Sequence, residues 1–200
     1  MTELFNEWMP NVIAYLDKFS DSCAATVQMF LIAGAFTFVF GFLFGVILTT
    51  TKKDGIAPNK VLFTCVDIFT NIFRSIPFVI LLIFLIPFTR TLVGTAVGVK
   101  GAIVPLVFGA TPFYTRQIES ALATVDEGKV EAARSMGSGT LGIIFRVYIK
   151  ESVPEVIRAT TITAISLIGL TTMAGAVGAG GIGSFAINYG QNLHHQDIVN

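Results

Sequence analysis

The sequence predicts an all-α integral membrane protein, built as a bundle of transmembrane helices with a helical loop on one side. Three observations lead to this class. Hydrophobic residues make up 53% of the chain, charged residues only 13%, and the mean hydropathy is +0.74, which is too apolar for a soluble domain. Residues 24–48 contain no charged side chain, a stretch long enough to cross a bilayer. Basic residues are also concentrated in every second segment that connects the apolar stretches, as in membrane proteins of fixed orientation.

Four apolar stretches fit membrane spans, at about residues 24–50, 62–89, 99–123 and 155–187. The segment 1–23 that precedes them is acidic rather than basic and shows no cleavage pattern. We therefore expect an extracytoplasmic N-terminal segment and not a signal peptide.

The first two spans contain distinctive small residues and prolines. Gly41 and Gly45 stand four residues apart in the first span, a spacing that permits close helix contact, although glycine is also simply tolerated in lipid. Pro77 and Pro87 bracket the most apolar part of the second span and predict a kink. Asp67, earlier in this span, is expected to face protein or the cytoplasmic rim.

The last two spans have polar residues near their ends. Arg116 and Glu119 are three residues apart at the far end of the third span, so they are expected to pair on one helix face. Pro154 suits the first turn of the fourth span. The tail after residue 190 is polar.

The distribution of basic residues predicts the orientation. Two connecting segments hold most of them, with Lys52, Lys53 and Lys60 after the first span, and Lys129, Arg134, Arg146, Lys150 and Arg158 before the fourth. Because cytoplasmic loops have an excess of Lys and Arg, we expect the N-terminus outside and the loop 125–154 in the cytoplasm.

The loop 125–154 is predicted to contain two short helices. Asp126 is expected to cap the first, Glu127 and Glu131 to lie near its positive end, and Gly137 to end it in a left-handed conformation. Thr140 is expected to cap the second helix. An apolar stripe on that helix would lie against the membrane rim or other spans, and it comprises Leu141, Ile144, Phe145 and Tyr148. By spacing alone the loop is either a stiff docking element or an interfacial hairpin without a partner.

Glu131, Ala132, Ala133 and Gly137, placed between two hydrophobic spans, resemble the motif by which permeases of ATP-binding-cassette (ABC) importers dock on their ATPase. The family pattern ends in a proline that is replaced here by Lys150. Segments 71–90 and 174–183 are similar to permeases of the methionine-uptake type. The resemblance covers about residues 24–190.

The resemblance implies an ABC type-1 permease domain at residues 24–200, in the inner membrane of a bacterium, which translocates an amino acid, methionine, into the cytoplasm. It implies a homodimer in contact with lipid, with ATPase subunits inside and a substrate-binding protein outside, and no nucleic-acid partner. ATP and Mg²⁺ would belong to the ATPase, so no cofactor is expected in this chain. Family members have five spans, so we expect the last span to be missing and the chain to be a fragment.

Candidate substrate-path residues are Ser75, Pro77, Thr172, Met173 and Gly175, since they lie in or next to the segments similar to methionine permeases. The glycine-rich stretch 175–183 lacks the Lys-Ser/Thr ending of a phosphate loop. It is interpreted either as unwound backbone along the path or as close packing of small residues.

Three other functions remain open, an ABC permease for another small solute, a self-contained channel or carrier, and a non-transporting membrane scaffold. A proton-driven carrier is disfavoured because no relay of ionisable groups is visible in the spans. No nucleophile with a base and no Walker motif is visible, which predicts a pore subunit and not an enzyme. His194 and His195 lack a third ligand nearby, so no metal site is predicted. Cys23 and Cys65 fall on opposite sides of the membrane in this topology and are not expected to pair.

Overall fold

The computed structural model describes residues 10–195 and residue 198, and regular structure in this part of the chain is helical. The α-helices, numbered in chain order, are α1 (Pro10–Ala14), α2 (Leu16–Thr51), α3 (Lys60–Ser75), α4 (Phe78–Phe84), α5 (Ile86–Val93), α6 (Gly98–Leu122), α7 (Glu127–Ser135), α8 (Thr140–Ile143), α9 (Ile149–Glu151), α10 (Val153–Ala174) and α11 (Gly181–Phe185). Short π-helical segments follow α8, α10 and α11, at Ile144–Tyr148, Gly175–Ala179 and Ala186–Gln191. The predicted all-α class is confirmed.

Two helical segments of the described chain are long and apolar enough to cross a membrane unbroken. They are α2, with 36 residues, and Val153–Ala179, with 27. The helix α2 begins at Leu16, before the predicted start of the first span at residue 24. The pairs α3 with α4 and α5 with α6 also meet the criteria, but each pair is sharply bent at a short break. If each bent pair is one span, the described residues contain up to four.

The predicted second span, 62–89, is interrupted twice. The helix α3 ends at Ser75, and Ile76 is extended with φ −89° and ψ 123°, the conformation that a following proline imposes. A second break comes before α5, where Pro87 occupies the first turn and needs no helical partner for its nitrogen. Proline therefore ends the helix at residue 75 instead of only kinking it.

The predicted fourth span, 155–187, is also interrupted. Within Gly175–Ala179, Val177 and Gly178 leave helical geometry, and Gly178 has φ 98°. Gly180 and Gly181 follow with φ 82° and 80°. These left-handed positions are accessible to glycine without steric cost, so the chain breaks where glycines are concentrated.

The chain divides into two compact units. The first comprises the described residues up to Gly34, Phe78–Val107 and the described residues from Leu167 onward. The second comprises Ala35–Pro77 and Phe108–Ser166.

The core of the second unit joins α6, the loop helices and the start of α10. Its buried members are Tyr114, Ile118, Leu122, Val130, Ala133, Ile143, Tyr148 and Ala159. The C-terminal half of α2 packs closely on α6. A methyl group placed on Gly45 would lie 2.5 Å from Ile118 Cγ2, and one on Gly41 would lie 2.7 Å from Tyr114 Cδ1. Of the two interpretations of this glycine pair, close helix packing is the one observed.

In the first unit, the start of α2 packs on α11 and the segment after it. The Ile182 backbone N–H donates to Thr26 Oγ1 at 2.9 Å, and the rings of Phe19 and Phe185 have centroids 5.5 Å apart. A methyl group on Gly181 would lie 2.6 Å from Thr26 Oγ1. Only glycine fits this approach.

Candidate functional site

The helix α7 has defined ends. At its start the Asp126 carboxylate accepts the Lys129 backbone N–H at 3.3 Å, so Asp126 is the N-cap, as predicted. At its end the Gly137 N–H donates to the Arg134 carbonyl and the Ser138 N–H to the Ala133 carbonyl. Gly137 has φ 80°, and this pair of bonds is the Schellman arrangement. The left-handed glycine end that the sequence predicts is therefore observed.

One face of α7 is buried and the other is exposed. Val130 and Ala133 are buried in the core of the second unit, at 7% and 5% exposure. Glu131 and Ala132 are exposed, and Met136 just after the helix is 79% exposed. We call Glu131, Ala132, Met136 and Gly137 the exposed α7 face. This face has room for a partner, whereas Ala133 anchors the helix from the other side.

Glu131 is the fifth residue of the nine-residue helix α7. The expectation that it lies near the positive end of the helix is wrong, because the helix dipole acts within the first turn. Glu127 occupies that first turn, as predicted. The exposed carboxylate of Glu131 is accordingly a surface charge.

The second loop helix begins at Thr140, one residue earlier than predicted, and has a different buried face. Gly139 is the N-cap, Thr140 is the first helical residue, and the cap has no side-chain bond, so the predicted Thr140 cap is wrong. Ile143 and Tyr148 are buried, whereas Leu141 and Phe145 are 70% and 65% exposed. The π-helical segment Ile144–Tyr148 changes the number of residues per turn, so a stripe drawn with the α-helical period does not describe the buried face.

Two polar contacts attach α7 to the rest of the second unit. Arg134 Nη2 donates to the Gly55 carbonyl at 3.2 Å, which joins α7 to the basic segment after α2. Lys129 forms an ion pair with Glu151 at the other end of the loop. The hydrogen bond to Glu151 and the charge of that carboxylate raise the pKa of Lys129 above its usual value. This pair is formed at neutral pH, and as the pH rises it persists beyond the ordinary lysine range.

A polar cluster joins α3 to α6 in the second unit. Arg116 Nη2 lies 2.5 Å from Asp67 Oδ1 and 2.8 Å from Asn71 Oδ1, and Arg116 Nη1 lies 2.6 Å from Glu119 Oε2. The pairing of Arg116 with Glu119 was predicted, whereas the two partners on α3 were not. We call these four residues the Arg116 cluster. The cluster places three ionisable groups inside predicted spans. The sequence argued against a proton-driven carrier because no relay of such groups was visible, and this cluster weakens that argument.

Comparisons with known proteins identify the family. Residues 39–196 match the model of the binding-protein-dependent transport system inner membrane component. The chain belongs to this family. A probable D-methionine transport system permease protein MetI from Vibrio cholerae is 47% identical over 87% of this chain and 76% of its own length. The methionine import system permease protein MetP of Bacillus subtilis is 47% identical over 76% of this chain and 69% of its own length.

The fold of this inner membrane component is also similar to a solved structure. A chain from the MetNI methionine ABC transporter, in an inward-facing conformation, has a TM-score of 0.89 and 41% identity. The match covers 94% of the present chain and 87% of that chain. The resemblance recognised from the docking-type motif is thereby confirmed at the level of the family.

The candidate substrate-path residues of this permease-family chain are divided between its two units. Ser75 and Pro77 belong to the second unit and are both exposed. The Ser75 hydroxyl donates to the carbonyls of Asn71 and Ile72 at 3.0 and 2.8 Å, so it completes the last turn of α3. These contacts explain the position of Ser75 by local structure.

Thr172, Met173 and Gly175 belong to the first unit, at the end of α10. Thr172 is exposed and Met173 is 47% exposed, whereas Gly175 is buried. A methyl group on Gly175 would lie 2.6 Å from the Gly180 carbonyl. The glycine-rich stretch is therefore both unwound and closely packed, so the two interpretations of it hold together.

Proposed function

We propose that this chain is the transmembrane permease subunit of an ABC importer that carries methionine into the cytoplasm. The observation that carries the proposal is α7, a capped helix held by the core on one side and free on the other. A helix presented in this way suits insertion into a groove of a partner. The named relatives transport methionine, which supports the choice of substrate over another small solute.

The partner of the exposed α7 face would be a cytoplasmic ATPase subunit. Its groove would receive Glu131, Ala132 and Gly137. Ala132 and Gly137 are small and permit close approach. Because Arg134 and Lys129 attach α7 to the segment after α2 and to α9, a displacement of the helix would be passed to the second unit. ATP and Mg²⁺ would be bound by the ATPase, and we assign no cofactor or enzymatic activity to this chain.

We further propose that the assembly contains two copies of this chain in a bacterial inner membrane, with a substrate-binding protein on the outer side. In this orientation the N-terminus is outside and α7 is inside. The hydrogen bond between Arg134 and Gly55 supports the placement of both basic loops on one side of the membrane.

The docking proposal is tested by a matched pair of glycine variants. Gly137→Ala forces a side chain into a left-handed conformation at a cost of about 1–2 kcal/mol. Gly139→Ala is the control, since Gly139 has φ −72° and no neighbour within 4 Å of an added methyl group. We expect Gly137→Ala to reduce co-purification of the ATPase and uptake, and Gly139→Ala to preserve both. Equal ATPase binding by the two variants would contradict the proposal.

A charge reversal tests the same surface without strain. Glu131→Lys changes an exposed side chain, so the thermal stability of the isolated chain should be unchanged while ATPase binding weakens. Normal assembly and transport by this variant would mean that the exposed α7 face is not the docking surface.

The orientation is tested by cysteine labelling in a Cys23→Ala, Cys65→Ala background. An impermeant thiol reagent added to intact cells should label Gln191→Cys and leave Lys52→Cys and Ser138→Cys unlabelled. Labelling of Ser138→Cys from outside would invert the topology and place α7 out of reach of any cytoplasmic ATPase.

The substrate is tested by competition in the reconstituted complex. Excess methionine of either enantiomer should inhibit uptake of labelled methionine, and arginine should not, because a cationic side chain would find few charges to neutralise it. Thr172→Trp or Met173→Trp should block uptake without loss of ATPase binding. Uptake that is indifferent to methionine would refute the substrate and leave the importer class in place.

A further inference from the structure

A cleft in the second unit lies between the end of α6 and the start of α10. It has a volume of about 190 Å³. The residues that line it are Gln117, Ser120, Ala121, Thr124, Glu155, Arg158, Ala159 and Ile162. None of these side chains belongs to the exposed α7 face or to the candidate substrate path.

The cleft contains one cation and one anion that are only loosely paired. Arg158 Nη1 lies 3.8 Å from Glu155 Oε2, beyond hydrogen-bond distance, and the two side chains are 72% and 44% exposed. An exposed pair of this kind is weak, so each charge remains free to bind a ligand instead. Gln117, Ser120 and Thr124 add neutral polar groups, and Ile162 with two alanines adds an apolar wall.

These features match one class of ligand. A guanidinium binds a carboxylate, and a carboxylate binds an ammonium group, so the cleft offers a partner for each charge of an amino-acid zwitterion. The apolar wall suits an uncharged side chain. A phosphate or a lipid headgroup with net negative charge fits less well, since the Glu155 carboxylate would repel it.

We propose that this cleft is a binding site for the transported amino acid on the cytoplasmic side, occupied as the substrate leaves the permease. This inference rests on the proposed function and adds a binding site that the proposed function does not contain. Arg158 would hold the carboxylate of the ligand, and Glu155 would hold its ammonium group.

The position of the cleft connects it to α7. Thr124 precedes the α7 cap Asp126 by two residues, and Glu155 follows Glu151, the partner of Lys129, by four. A ligand between these segments would therefore contact both ends of the loop that contains α7. Occupancy of the cleft and the position of the docking helix would be linked.

The test uses the complex of this chain with its ATPase in liposomes, with Ser120→Cys as a reporter in a Cys23→Ala, Cys65→Ala background. A thiol reagent is added on the cytoplasmic side. At ten times its dissociation constant, methionine should slow labelling about tenfold. Lys53→Cys, in the exposed basic segment after α2 that does not line the cleft, is the control and should be labelled at the same rate with and without methionine.

Two analogues of methionine test which charged groups of the ligand the cleft binds. Methionine methyl ester lacks the carboxylate, and 4-(methylthio)butanoate lacks the ammonium group, so neither should protect Ser120→Cys in the otherwise unchanged chain. Arg158→Gln should lose the preference for methionine over the ester, and Glu155→Gln should lose the preference for methionine over the butanoate. A merely structural role for either residue would not alter these preferences.

The outcomes separate this inference from the proposed function. Absence of protection, or equal protection by methionine and both analogues, would overturn the cleft assignment even if the complex imports methionine. If either Arg158→Gln or Glu155→Gln fails to assemble with the ATPase, the preference of the other variant for methionine over its analogue still tests the cleft assignment. Failure of methionine uptake, by contrast, would refute the proposed substrate whatever the labelling shows.

Discussion

Removal of the Arg116 guanidinium tests how much the Arg116 cluster contributes to stability. Arg116→Met keeps a long side chain and deletes the positive charge. In the native chain this group contacts Asp67 and Glu119 at 2.5 and 2.6 Å. In the variant the two carboxylates would share a partly buried site with no cation between them.

The size of the expected loss in free energy of unfolding follows from how exposed the side chains of the Arg116 cluster are. Breaking a fully buried ion pair by removing one partner costs about 3–5 kcal/mol, whereas exposed pairs contribute about 0–1 kcal/mol. The side chains of Arg116, Asp67 and Glu119 are 22%, 30% and 28% exposed, between these limits. We therefore expect Arg116→Met to lower the free energy of unfolding by about 2 kcal/mol. Asp67→Asn should cost about half as much, because Arg116 keeps Glu119 as a partner.

A double-mutant cycle provides the assay. Unfolding of the detergent-solubilised chain would be followed by circular dichroism for both single variants and for Arg116→Met with Asp67→Asn. The double variant should be more stable than Arg116→Met alone, since deletion of the Asp67 charge removes an unpaired carboxylate. Arg116→Lys should recover only part of the loss, because an ammonium group lacks the planar fork that contacts two helices. Strict additivity, or a change below about 0.5 kcal/mol for Arg116→Met, would refute this reasoning.

Three further predictions concern packing and the loop. Gly45→Ala should lower the free energy of unfolding by about 1–3 kcal/mol through overpacking. Gly169→Ala is the control and should leave the free energy of unfolding unchanged, since Gly169 has open space around it. Thermal unfolding in detergent compares the two variants. Lys129→Glu should speed amide hydrogen exchange in the loop, because the new carboxylate repels Glu151. Reversing both charges, with Lys129→Glu and Glu151→Lys together, should restore protection. If the amide hydrogens of this double variant exchange as fast as those of the single variant, the ion pair does not hold the loop. Gly183→Ala should open the end of α10 to proteolysis, because the added methyl group would overlap a backbone carbonyl there, and an unchanged cleavage pattern would contradict this packing.

Several features of the fold and of the docking loop were predictable because they depend on neighbouring residues only. The membrane class follows from long uncharged runs, and the end of α7 follows from Gly137, whose φ of 80° needs no distant contact. The break at Ile76 follows from Pro77. The predicted cap of the second loop helix was wrong by one residue, from Thr140 to Gly139, since two adjacent residues compete for that position.

Other features were decided by the tertiary structure. Arg116 meets Asp67 across 49 positions of sequence, and that contact depends on how α3 and α6 are rotated against each other. The π-helical segment after α8 likewise sets which side chains are buried. By itself the sequence determined the membrane class and the ends of α7, because these depend on composition and short-range backbone geometry. It indicated the family through the resemblance of its motifs to those of known permeases. Only the tertiary structure decided which face of α7 is free and which charges meet, because a small rotation of a helix moves its side chains to different neighbours.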